Sequence, residues 1–123
     1  MLDVFKQVNS AKLTGFVVWL AVRPIDNLSA AQTEAKTVTD PRIREYWNED
    51  LSVDAAFMQT LNLGRTAFDT YLVYGPQSKW LAEAPSPPQF WMHQRSAKSG
   101  ADESKHLNAR RLKQAIEALL SQR

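Results

Sequence analysis

Cysteine is absent from these 123 residues. The absence excludes disulfides, a thiolate nucleophile, cysteine-ligated zinc and iron–sulfur clusters. Glycine is scarce, at four isolated positions, so no glycine-rich loop is present to cradle a phosphate. Histidine occurs only at His93 and His106, without a His-x-x-x-His or Glu-x-x-His spacing, so no metal set is expected. A Gly-x-Ser-x-Gly nucleophile turn is missing too. The sequence therefore names no catalytic residue, no metal and no cofactor. Long apolar runs are also lacking. The longest, "GFVVWLAV" at 15–22, is far too short to span a bilayer. The opening "MLDVFKQVNS" carries Asp3 and has no uninterrupted apolar core, unlike a secretory signal. The expectation is a soluble cytoplasmic protein with no membrane contact.

Charge of one sign is barely in excess, at a formal +2. Basic residues gather late, at Arg95, Lys98, Lys105, Arg110, Arg111, Lys113 and Arg123, against Asp102, Glu103 and Glu117. Such an end attracts phosphate. A solvated helix face explains it more simply, so nucleic acid is not an expected partner.

Apolar residues make up 44% of the chain and charged residues 23%, enough for one domain over 1–123 with a core of its own. In "LDVFKQVNS", Leu2, Phe5 and Val8 fall near helical spacing. The β-branched and aromatic run at 15–22 suits a strand buried on both faces, with Trp19 in the core. Arg23-Pro24 would end it. Ser29 and Gln32 have capping-box spacing for a helix whose small face holds Ala31, Ala35 and Val38, stopped by Asp40-Pro41. Residues 42–48 fit either a short edge strand or a helical turn. A helix follows from a cap at Ser52, with Val53, Phe57, Thr60 and Leu61 on one face and a stop at Gly64. "AFDTYLVYG" at 67–75 alternates as a strand, with Asp69, Tyr71 and Val73 on one face. "QFWMHQ" at 89–94 alternates likewise, setting Phe90 and Met92 opposite Gln89, Trp91 and His93. The two would form an antiparallel hairpin with a proline-rich connection. Residues 95–105 read as a mobile polar loop. A last helix starts at an Asn108 cap and carries Leu112, Ala115, Ile116, Leu119 and Leu120 as its apolar stripe.

Four stretches carry a resemblance: "VVWLAVRPIDN" (17–27), "DPRIREYWN" (40–48), "AFDTYLVYG" and "PPQFWMHQ". Together they resemble a poorly characterised group of bacterial thioredoxin-like proteins, over about residues 1–94 and the final helix. The resemblance implies an α/β, thioredoxin-like but truncated fold: a small mixed sheet of three to four strands flanked by three to four helices. Members usually carry a redox cysteine motif between a first strand and the first helix. Here residue 1 already falls in that helix, and no cysteine occurs anywhere. Thiol–disulfide exchange needs a thiolate, so this chain is expected to lack it. Thr66 and Ala67 also stand where the group's pattern has a proline before a core strand.

The first strand of such a fold is central, between the strands at 17–22 and 67–75. Without it, two edges would face a gap, and unpaired edges recruit partners. Direct pairing of the two strands, a strand from 42–48, or a second chain would each repair it. A homodimer is the favoured expectation.

Candidate binding residues are Arg42, Trp47, Asp69, Trp91 and His93. His93 is a candidate general base, oriented by Asp40, Asp50 or Asp69; a structural histidine hydrogen-bonded at a sheet edge is the simpler and favoured reading. Asp69, inside an apolar strand, calls for Arg42 or Arg44 as an ion-pair partner, or else for an edge position facing water. Trp47 and Trp91 with Arg42 and His93 would suit a planar or anionic small ligand; core or interface packing accounts for the tryptophans as well. His106, beside the polar loop, is expected to be exposed. The leading expectation is a binding or assembly module without redox activity. The alternative is a small-molecule-binding protein or enzyme with a pocket around His93, Arg42 and Trp91.

Overall fold

The computed structural model describes residues 2–21, 27–64, 67–80 and 84–122. The expected strand end at Arg23-Pro24, and Thr66 before the third strand, lie outside them. Eight elements follow in order: α1 (Leu2–Gln7), β1 (Gly15–Leu20), α2 (Leu28–Ala35), β2 (Ile43–Asn48), α3 (Ser52–Leu61), β3 (Thr70–Val73), β4 (Phe90–His93) and α4 (Ala109–Leu120). The chain is thus a small mixed α/β protein with four described helices and two small sheets.

The ambiguous 42–48 segment is a strand, parallel to β1, with Val17 beside Glu45 and Trp19 beside Trp47. β3 and β4 form the antiparallel hairpin, with Tyr71 opposite Met92 and Thr70 opposite His93. No ladder joins β1 to β3 among the described residues. One sheet of three to four strands is therefore replaced by two sheets of two. Direct pairing, one of the repairs expected for the gap, does not occur there.

Helix α1 touches both sheets. Val4 and Val8 enter the core with Met92 of β4 and Leu112 and Ile116 of α4. Phe5 turns to the other sheet, so near that a Cβ on Gly15 would lie 2.9 Å from its ring and 3.1 Å from Ile43. Glycine at 15 therefore serves a close helix–strand approach. The α4 stripe is as its spacing predicts: Leu112 and Ile116 are buried, and Asn108 caps by accepting from the Arg111 amide at 3.0 Å.

Other local expectations shift. Asn27, not Ser29, caps α2, accepting from the Ala30 amide at 2.8 Å, and the helix ends at Ala35 rather than at Asp40-Pro41. At the start of α3, Asp50 and Asn48 accept from the amides of Ser52 and Val53, so Ser52 is not the cap. Asn62, with φ of 54°, ends that helix before Gly64 is reached. The strand expected at 67–75 shrinks to Thr70–Val73, and it starts late because Asp69 has φ of 53°, a left-handed turn rather than extended backbone. Residues 95–105 hold two short 3-10 turns, Ala97–Ser99 and Glu103–Lys105.

Strand β1 is not buried on both faces. None of its residues is fully buried, and Phe16 is 60% exposed. Trp19 is half-buried rather than core, its indole N–H donating to Glu45 Oε1 at 3.2 Å. Phe16 and the exposed Tyr46 stack with ring centres 6.3 Å apart on the open face.

Candidate functional site

Strand β4 and the loop after it form the most elaborated part of the molecule. Met92 and His93 are both sealed, at 0% and 1% exposure. Both ring nitrogens of His93 are engaged by backbone. Nδ1 accepts from the Arg95 amide at 3.0 Å, and Nε2 lies 2.7 Å from the Asp102 carbonyl. An amide must meet a lone pair and a carbonyl must meet a proton, so the ring is the neutral Nε2–H tautomer. The Leu107 amide closes the arrangement by donating to the His93 carbonyl at 2.7 Å. His93 therefore ties β4 to the 97–107 loop and has no nitrogen left for proton transfer. Among the described residues no carboxylate orients it. His106, exposed as expected, packs edge-on against it at 5.6 Å.

Two clefts flank this knot. One, about 350 Å³, is lined by His93, Arg95, Ala97, Ala101, Glu103 and His106. The other, about 500 Å³, lies between the end of α3 and the loop, lined by Leu61, Leu63, Trp91, Arg95 and Lys105. Trp91 sits on this side, with Lys105 Nζ 4.8 Å from its ring centre. Asp102 at the rim is held below the usual carboxylate range by hydrogen bonds from the Ser104 hydroxyl and amide.

The remaining candidates lie elsewhere. Arg42 lines neither cleft. Its Nε and Nη2 donate to the two carboxylate oxygens of Asp40 at 3.0 and 2.7 Å. Its other protons go to the carbonyls of Val8, Ser10 and Phe5 at 2.7, 3.1 and 3.1 Å. A guanidinium has five N–H groups, and all five are spent, two on Asp40 and three on carbonyls at and just beyond the end of α1. Trp47 belongs to the β1–β2 sheet, across from Trp19, and Trp91 to the β3–β4 sheet. Asp69 is exposed and pairs with neither Arg42 nor Arg44. Its turn lifts it out of the strand, and it acts on Tyr71, whose phenol is pushed up first by burial and then by this nearby charge. Trp91 and His93 are thus brought together, with rings 6.3 Å apart, while Arg42, Trp47 and Asp69 are not.

Two residues escaped the sequence reading. Asp54 is the buried carboxylate, 4% exposed, and accepts from the Ala67 amide. Arg95 is 6% exposed and lines both clefts. A signal for Arg95 existed: at period two it continues the stripe of Gln89, Trp91 and His93.

No family model, no curated protein and no solved structure matches this chain. Among the described residues no helix is long and apolar enough to cross a membrane.

Proposed function

We propose that this chain is a cysteine-free, thioredoxin-like binding module of the bacterial cytoplasm, which completes its sheet by pairing with a second copy of itself. The observation that carries the reading is the state of β1. Gly15 donates from its amide to the Arg42 carbonyl at 3.0 Å, so Gly15, Val17 and Trp19 face β2. Strand periodicity then turns the backbone groups of Phe16, Val18 and Leu20 to the opposite edge. No described strand takes them. An apolar strand bonded on one side only is a template for another strand, and a two-stranded sheet has little stability of its own. The β3–β4 hairpin and the closing α4 follow the order expected of the thioredoxin-like group, to which β2 and α3 are additions. In that arrangement the added strand sits between β1 and β3, under α1. Without a thiol, the module works by contact and not by exchange.

The test is Val18→Pro, read by light scattering after size exclusion. Proline is tolerated at an edge position whose amide is unused, and it blocks a new ladder there. The expected result is a folded chain that no longer self-associates, against a dimeric parent. A monomeric parent, or a variant that dimerises as well as the parent, contradicts the reading.

A further inference from the structure

The geometry points to a second site, independent of the β1 edge: we propose that Arg95, with Lys105 and Trp91, binds a small organic carboxylate in the cleft between α3 and the 97–105 loop. A buried cation is ordinarily paired, because taking an ion out of water is costly. Arg95 is buried, yet no carboxylate pairs with it among the described residues, and no acceptor there takes its guanidinium protons. Its Nε is sealed from solvent without an acceptor. One face of the guanidinium is covered by Phe68, 5.1 Å from the ring centre, so its charge is held in place by packing. Its own amide is fixed on His93. A planar fork of donors, immobile and unmatched, at the junction of two clefts is suited to a two-oxygen anion.

The surroundings narrow the ligand. Lys105 adds a second positive charge on the same cleft, while Asp102 and Glu103 stand at the rims. That balance favours a monoanion over a phosphate dianion. Leu61, Leu63 and Trp91 offer an apolar wall beside the charge, and about 500 Å³ is within the usual range for small-ligand sites. The ligand therefore carries a carboxylate for Arg95 and an apolar or aromatic body for Trp91.

Benzoate is the probe, with inorganic phosphate as the comparison, each titrated into the full chain and followed by backbone amide NMR. Benzoate is expected to shift the amides of 61–64 and 99–105 saturably at millimolar concentration, and phosphate to bind more weakly. Arg95→Gln should lower benzoate affinity by about tenfold or more, as loss of a desolvated charge partner does. Its fold should survive, since it removes an unpaired buried charge. Lys105→Gln, at the half-buried rim, should weaken binding by a smaller factor and keeps the test decisive if Arg95→Gln does not fold. Three results overturn the proposal: no saturable shift with benzoate, phosphate binding as tightly as benzoate, or an affinity unchanged by both substitutions.

Discussion

Arg42 and Asp40 meet fork to fork, Nε and Nη2 of the guanidinium donating to the two carboxylate oxygens at 3.0 and 2.7 Å. Sequence proximity brings the two together, and the carbonyls at the end of α1 fix the guanidinium in place. The pair thereby joins the first helix to the chain entering β2. Phe5 stacks on the same guanidinium, 4.5 Å from ring centre to Cζ.

This pair sets an acid limit on stability. Hydrogen bonds from the Arg42 side chain and amide hold the Asp40 carboxyl at about 2, below its ordinary 3.8. A carboxyl depressed in the folded state contributes stability above its unfolded value and loses it as pH falls through the folded one. The stabilisation should therefore be complete above about pH 4 and fade towards pH 2. Asp40→Asn is expected to melt a few degrees lower than the parent at neutral pH. Thermal melts of both proteins across this range check it: the gap between them should close as the solution is acidified. A gap that stays constant with pH would show that the pair contributes nothing through its charge.

His93 is predicted to hold structure and not to move protons. His93→Ala leaves the Arg95 amide without its partner in a buried site, an orphaned group costing about 1–3 kcal/mol, empties the space of a sealed ring and releases the Asp102 carbonyl at the rim. A loss of at least a few kcal/mol is expected in urea unfolding, with the 97–105 loop exchanging its amides faster. An unchanged unfolding midpoint would mean that the loop is held by other contacts.

How much of this was legible follows from where each partner lies in the chain. The α4 stripe and its Asn108 cap are local in sequence, and both are found as the spacing predicts. Likewise the alternation of "FWMH" gave β4, because one strand's pattern needs no knowledge of its neighbours. Asp54 could not be read: its partner is a backbone amide thirteen residues on, and amides have no sequence signature. Asp69 misled because alternation describes side chains and is blind to one left-handed residue at a strand's start. An apolar run implies cover on both faces and so a core position for Trp19, yet burial depends on what packs there, and among the described residues β1 has one neighbouring strand. In the candidate site, the Trp91–His93 pairing was readable from one strand. Arg95 lies two positions further along the same face, but it opens a polar stretch whose composition hides that periodicity.

The central claim is that the outer edge of β1 receives a second strand. Residue-resolved amide hydrogen exchange, measured over a wide range of protein concentration, tests it most directly. The amides of Phe16, Val18 and Leu20 have no partner strand among the described residues, whereas those of Val17 and Trp19 face β2. On this account the first three become protected as concentration rises, while the other two stay protected throughout. If Phe16, Val18 and Leu20 exchange as fast as exposed loop amides at every concentration, no strand is added there and the claim is wrong.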